Sequence, residues 1–66
     1  MTIRLNGDSA DIPGPMTVGA LLAHLGIEAA RVAVELNLSV VKRGLFDSAM
    51  IGDGDEVEIV NFVGGG

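Results

Sequence analysis

The sequence predicts an α+β fold in which a mixed sheet of about five strands packs around one helix. Segments near both ends of the chain alternate apolar and polar residues, which is the period of a strand with one buried face. A single segment between them has the apolar spacing and the end signals of a short helix. The 66 residues suffice for one domain. A chain of this size buries only about 60% of its unfolded surface, so its apolar pattern must be used efficiently.

Two strands open the chain. Residues 1–5 alternate as a strand, and Asn6-Gly7 is a strong hairpin-turn dipeptide because both residues tolerate positive φ. A second strand through Ala10 to Ile12 is predicted to pair with the first. The segment Pro13-Gly14-Pro15 then ends regular structure, since proline has no N–H to donate to a ladder.

The helix follows, with recognisable signals at both ends. Thr17 is a good N-cap, and Gly26 stands where a left-handed residue is wanted after the last turn. Ile27 is then expected to fold back on Leu22. Because a helix this short does not persist alone in water, its apolar stripe must lie on the sheet. The stripe consists of Val18, Leu21, Leu22 and Leu25.

The second half of the chain contains three more strands, at residues 32–37, 39–42 and 57–62. Leucine at positive φ is strained, so we expect the turn at Asn37-Leu38 to avoid that geometry. Residues 45–51 form a short connection, with one helical turn around Phe46 and with Leu45, Phe46 and Met50 capping the edge of the core. Residues 52–55, Gly-Asp-Gly-Asp, form a turn into the last strand.

This order of elements has one compact solution at this length. A mixed sheet wraps one face around the helix, with the first and last strands parallel at its centre. That arrangement is the β-grasp, or ubiquitin-like, fold.

Composition limits the function. The net charge is −5, with four basic and nine acidic residues, and the chain has two Phe but no Tyr or Trp. This argues against binding to nucleic acid or to an anionic membrane and favours a partner with a basic surface. The absence of cysteine excludes a thiolate metal site and a cysteine nucleophile. No apolar run approaches a membrane span and no leader pattern is present, so a cytoplasmic protein is expected.

The final residues, 63–66, are Val-Gly-Gly-Gly. Glycines cannot pack a core and lose much entropy on ordering, so we expect a flexible tail after a domain of residues 1–62. A slim glycine end that carries a carboxylate suits the active site of another protein. Functionless fraying is the alternative interpretation.

Four segments together resemble the ThiS-type sulfur carriers, which serve assembly of the thiazole ring of thiamin. They are Val32-Ala33-Val34-Glu35-Leu36-Asn37, Val40-Val41 with the basic pair after it, Asp53-Gly54-Asp55-Glu56-Val57-Glu58-Ile59-Val60, and Phe62-Val63-Gly64-Gly65-Gly66. No single segment is specific, and the resemblance depends on their conjunction with the length and the order of elements. It departs from the family at Leu38, where glycine is usual, and at Lys42-Arg43, where proline-arginine is more familiar.

The resemblance implies a mechanism. A ThiF-type adenylating enzyme would use ATP to convert the Gly66 carboxylate into an acyl adenylate. A persulfide sulfur donor would then convert it into a thiocarboxylate, which passes its sulfur to thiazole synthase. Gly64 and Gly65 would make the tail long and narrow enough to enter the active site of a partner. On this view the protein is a cosubstrate and not an enzyme, binds no cofactor itself, and is a monomer on its own.

Val60, Phe62 and Glu58 are predicted to form a partner interface. If Val57 and Ile59 face the helix, alternation turns Val60 and Phe62 to the opposite face of the sheet. An exposed apolar pair beside a reactive tail suggests a recognition patch, and the acidic run before it suggests a basic partner. The alternative is that Phe62 folds into the core.

The remaining polar residues are interpreted as structural. His24 is expected on the solvated side of the helix, where a metal site is disfavoured. The aspartates of the Gly-Asp-Gly-Asp turn are expected to serve that turn, because the run lacks the spacing of a calcium loop.

Several other functions fit the same fold and tail. A sulfur carrier for molybdopterin synthesis shares both, and a carrier for sulfur-containing amino acids is a further possibility. A ubiquitin-like protein modifier would use the same adenylated glycine. A plain interaction domain with an inert tail belongs to a different class.

Overall fold

The computed structural model describes residues 1–62. The elements in that part of the chain are β1 Thr2–Leu5, β2 Asp8–Asp11, β3 Met16–Thr17, α1 Val18–His24, β4 Val32–Leu36, β5 Ser39–Val41, β6 Met50–Ile51 and β7 Glu56–Asn61. Five strands form a mixed sheet in the order β2-β1-β7-β4-β5, and two short strands, β3 and β6, form a second sheet. Strands β1 and β7 are parallel, and the other pairs are antiparallel. This is the predicted β-grasp fold, with the first and last strands adjacent in the middle of the sheet.

Both ends of α1 are capped as the sequence predicts. The Thr17 hydroxyl accepts a hydrogen bond of 3.0 Å from the Ala20 N–H. At the other end, Gly26 has φ +73° and the Ile27 N–H donates to the Leu22 carbonyl at 2.8 Å, which is the Schellman arrangement. These bonds satisfy backbone groups that a seven-residue helix would otherwise leave to water.

The core lies between α1 and the inner face of the large sheet. Three of the four predicted stripe residues are buried in it, but Leu25 is 39% exposed. Leu25 follows the last helical residue, where the chain already turns through Gly26, so its side chain lies at the margin of the core. Buried apolar residues from every part of the fold complete the core: Ile3, Ile12, Val18, Leu21, Leu22, Val32, Val34, Phe46, Ile51 and Val57.

The connection before β7 differs from the prediction. Phe46 is buried, but Leu45 and Met50 are exposed and do not cap the core. The helical turn is a 3₁₀ helix at Arg43–Leu45, which ends just before Phe46. Met50 lies in β6, which pairs with β3 in a small sheet that the sequence did not predict. Alternation along β6 turns Ile51 inward and therefore Met50 outward.

The prediction for the turn at Asn37-Leu38 is wrong. Asn37 has φ +51° and Leu38 has φ +70°, so leucine occupies the left-handed region. The strands pair at Leu36 and Ser39, which leaves a two-residue loop, and positive φ at both loop positions is the pattern of a type I′ turn, whose twist matches that of the strands. The side chain of Leu38 is 78% exposed, so nothing but the backbone constrains it.

The aspartates of the 52–55 turn have structural roles, as predicted. Asp55 accepts a hydrogen bond from the Gly52 N–H at 2.8 Å, and Asp53 accepts one from the Thr2 N–H at 3.0 Å. The second bond ties the turn to the first strand. In residues 1–62, no helix combines the length and the apolar character needed to cross a membrane.

Candidate docking site on the outer face of the sheet

The last strand divides its side chains between the core and the surface. Val57 is buried and Ile59 is half-buried on the inner face, whereas Glu58 is exposed on the opposite face. Val60 and Phe62 continue that outer row and are 54% and 53% exposed. Phe62 therefore lies outside the core, and the predicted orientation of both apolar side chains is confirmed.

Neighbouring strands extend this row into a patch. Val60 lies opposite Ala33, and Glu58 lies opposite Glu35, on strand β4. Glu35 in turn lies opposite Val40 on β5, and Val40 is strongly exposed. We call this surface the outer patch; its residues are Glu35, Val40, Glu58, Val60 and Phe62.

Two members of the outer patch, Glu35 and Val40, were not predicted from the sequence. Glu35 could have been found, because the inward prediction for Val34 and Leu36 turns the residue between them outward. Val40 could not be placed so easily. Its position depends on the register of the β4–β5 hairpin, and that register follows from a turn geometry that is unfavourable for leucine.

The outer patch combines apolar and acidic groups. Glu35 and Glu58 lie directly opposite each other, and like charges in that arrangement destabilise a sheet by roughly 0.2–1 kcal/mol. In the part of the chain that the structure describes, the ion pair within 4.0 Å joins Glu28 and Arg31, so neither patch carboxylate has a basic partner there. A partner that places a cation beside this pair would gain by charge complementarity.

Two asparagine turns hold the start of the last strand in place. Asn37 donates its N–H to the Glu56 carbonyl at 2.7 Å, and its side chain accepts from the Glu56 N–H at 2.9 Å. On the other side of the strand, the Asn6 side chain accepts from the Ile59 N–H at 2.7 Å. Because β1 and β4 flank β7, the two asparagine side chains reach the last strand from opposite sides.

The predicted sulfur-carrying residue and its neighbours lie outside the described residues. Gly64, Gly65 and Gly66 follow the last residue that the structure describes, and their roles stay predictions. His24 is exposed, as predicted. Among residues 1–62, no group of three or more His, Cys, Asp or Glu is placed to hold a metal ion.

The described residues form a β-grasp domain whose last strand presents an exposed apolar and acidic face, and this face is a candidate docking surface. Comparison with known proteins identifies the family. The model of the ThiS family matches residues 3–66, so the chain belongs to the ThiS family.

Solved structures and curated relatives agree with this assignment. The crystal structure of the thiamine biosynthesis protein ThiS from Geobacter metallireducens superposes with a TM-score of 0.88, at 39% identity and with 100% of both chains covered. A thiazole synthase from Paramagnetospirillum magneticum is 42% identical over 66 residues, which are 100% of this chain and 20% of that protein. The chain thus spans about a fifth of the length of the thiazole synthases that it matches. The uncharacterized protein ycf40 of Porphyra purpurea is 36% identical and is covered over 93% of its length.

Proposed function

We propose that this chain is a sulfur carrier for thiamin biosynthesis. The observation that carries the proposal is the ThiS family match, which extends from residue 3 through the glycines to residue 66. A structure of the same fold, covered in full by this chain, bears the name of a thiamine biosynthesis protein, which supports the pathway. Proteins named thiazole synthase contain a stretch similar to this chain, and this supports thiazole synthase as the acceptor of the sulfur.

Gly66 is the proposed sulfur-carrying residue. Its carboxylate attacks the α-phosphorus of ATP on a ThiF-type adenylating enzyme, and pyrophosphate leaves. A persulfide sulfur then attacks the acyl carbon and displaces AMP. Cleavage of the resulting acyl disulfide by a thiol leaves a thiocarboxylate on the carrier and a disulfide on the donor. Every catalytic group belongs to a partner, so the chain acts as a cosubstrate and not as an enzyme.

The outer patch is the proposed docking surface for the adenylating enzyme. Its exposed apolar side chains, Val60, Phe62 and Val40, offer area that desolvates on contact. The opposed carboxylates of Glu35 and Glu58 select a partner with a cation in the matching position. The last strand runs from the core through this patch toward the glycines, so docking on the patch sets where Gly66 is delivered.

Intact mass spectrometry tests the proposal. The chain is incubated with the adenylating enzyme, ATP and a persulfide donor, and the expected product is heavier by one sulfur atom minus one oxygen atom. A variant that lacks Gly66 is the matched control. It is expected to keep the thermal stability of the domain, because the buried core is formed by residues between Ile3 and Val57, and to remain unmodified.

Two results would contradict the proposal. If the variant without Gly66 still supports thiazole formation, Gly66 does not carry the sulfur. If the mass of the chain appears instead on other proteins, the chain is a protein modifier.

A further inference from the structure

The last strand is paired along its whole length on one side and along only part of it on the other. On the β4 side, the register runs from Val57 to Asn61 without interruption. On the β1 side, pairing is limited to Glu56 and Val57, because β1 ends where the Asn6-Gly7 turn reverses the chain. The second half of β7 therefore has a neighbouring strand on one side only, within residues 1–62.

The direction of each backbone group follows from two hydrogen bonds. The Phe62 N–H donates to the Arg31 carbonyl at 2.9 Å, and the Asn37 N–H donates to the Glu56 carbonyl at 2.7 Å. Both bonds lie on the β4 side. Because successive residues of a strand direct their N–H and C=O groups to alternate sides, the even-numbered residues from 56 to 62 face β4 and the residues that flank it, Arg31 and Asn37.

The odd-numbered residues consequently face the other side. The Val57 carbonyl accepts from the Asn6 N–H at 2.9 Å, and the Ile59 N–H donates to the Asn6 side chain at 2.7 Å. Beyond the Asn6 side chain, β7 has no further pairing on this side within residues 1–62. Among the described residues, the Ile59 carbonyl and both backbone groups of Asn61 have no hydrogen-bond partner. We call these three groups the open edge.

We propose that the open edge binds an extended, basic segment of the adenylating enzyme as an added strand; the inference rests on the proposed function. Unpaired strand groups are a template for another extended backbone, which satisfies them by main-chain hydrogen bonds. The open edge lies immediately before the residues that lead to Gly66, so an added strand there would hold the strand that delivers the glycines.

The negative charge beside the open edge favours a basic partner segment over a second copy of this chain as its occupant. Glu58 projects from the outer face beside the open edge, and the chain has a net charge of −5. Pairing two copies through their open edges would bring two acidic surfaces together. A segment with lysine or arginine on its outward-facing positions would instead meet Glu58 with the opposite charge.

A proline substitution tests the inference. Asn61→Pro removes the N–H of the open edge, yet removes no hydrogen bond between β7 and β4, because that N–H faces away from β4. Asn61→Ala is the matched control, since it removes the side chain and keeps the N–H. In titrations with the adenylating enzyme, the comparison of Asn61→Pro with Asn61→Ala isolates the backbone N–H, because both variants lack the asparagine side chain. Loss of one net hydrogen bond should weaken Asn61→Pro roughly 3- to 10-fold.

Amide hydrogen exchange on the unmodified protein gives an answer that does not depend on the folding of the proline variant. We expect the Asn61 amide to exchange rapidly in the free protein and to become protected in the complex. The Val60 amide, which bonds β4, should be protected in both states. Asn61 that stays unprotected in the complex, or equal binding by the two variants, would overturn the inference and leave the proposed function standing.

Two other outcomes are also decisive. Protection of Asn61 in the free protein, increasing with concentration together with a dimer in sedimentation, would overturn the inference in favour of a second copy. Absence of any binding or adenylation of the unmodified chain would refute the proposed function, and the inference with it.

Discussion

Replacing Leu38 by glycine should stabilise the domain, because leucine holds a left-handed conformation there at φ +70°. That conformation costs a residue with a Cβ roughly 1–2 kcal/mol. Glycine removes this strain but loses more backbone entropy on folding, by about 0.5–1 kcal/mol. Little burial is lost, since the side chain is 78% exposed. The expected net gain is about 0.5–1 kcal/mol, or a rise of roughly 2–8 °C in Tm for a domain of this size.

Urea and thermal unfolding of Leu38→Gly and Leu38→Ala measure the effect. Alanine keeps the Cβ and therefore the strain, so the difference between the two variants isolates the backbone. Gly7→Ala provides a control of opposite sign. Gly7 has φ +87° in the corresponding turn, and an added Cβ meets nothing within 4 Å, so only the conformation is penalised. If Leu38→Gly and Leu38→Ala unfold together, the strain argument is refuted.

Three further substitutions, two of them with a matched control substitution, separate the core from the outer patch. Leu22→Ala should lower the free energy of unfolding by roughly 2–5 kcal/mol in urea denaturation, whereas Leu25→Ala, at the exposed margin, should lower it much less. Phe62→Ala should weaken binding to the adenylating enzyme by about 2 kcal/mol, measured by calorimetry, with little change in Tm. Phe46→Ala, in contrast, should cost roughly 3–5 kcal/mol of stability because Phe46 is buried. Glu58→Gln should slow association in stopped-flow experiments at low salt and have little effect at high salt.

Each of these expectations has an outcome that contradicts it. A loss below about 0.5 kcal/mol for Leu22→Ala is the scale of a surface substitution and would mean that the helix stripe is misplaced. Collapse of stability in Phe62→Ala, with normal binding by the folded fraction, would make Phe62 a core residue. An effect of Glu58→Gln that persists unchanged at high salt would show that the carboxylate acts by contact and not by long-range attraction.

The sequence predicted the fold well where local chemistry and burial agree. The Thr17 cap, the Gly26 reversal and the inward positions of the last strand each follow from one residue type in one place. Prediction from the sequence failed where the orientation of a side chain depends on pairing with residues far away in the chain. Met50 is turned outward by its pairing with Thr17, more than thirty residues away in the chain, and no local pattern indicates that pair.

The turn at Leu38 failed for a different physical reason. The local preference of leucine against positive φ is real, but it is worth only about 1–2 kcal/mol. Register between β4 and β5 places half-buried Val41 on the inner face opposite Val34, and a loop of different length would turn Val41 outward. The same turn positions Asn37 to make two hydrogen bonds with Glu56, each worth about 0.5–1.5 kcal/mol, and together with the burial of Val41 these outweigh the strain in the loop. Tertiary packing therefore determined the geometry of the turn.

The candidate site could be predicted from the sequence only where it depends on the alternation of side chains along a single strand. Period two placed Val60 and Phe62 on the outer face correctly, but the opposed pair of Glu35 and Glu58 required the register of β4 with β7. Nothing in a single strand indicates that two carboxylates meet across it. The open edge at Asn61 likewise depends on where β1 stops beside β7, which is a property of the sheet as a whole.

The composition of the outer patch lowers the stability of the free domain, and this supports a role in binding. A domain this small rarely gains more than about 3–5 kcal/mol from its core, so each exposed apolar side chain and each like-charge pair is a large fraction of its stability. The free protein nevertheless leaves Val60 and Phe62 half in water and sets Glu35 against Glu58. A basic partner removes both costs at once, because it covers the apolar groups and neutralises the carboxylates. The same residues that weaken the isolated domain would therefore stabilise its complex, and they do so on the strand that leads to Gly66.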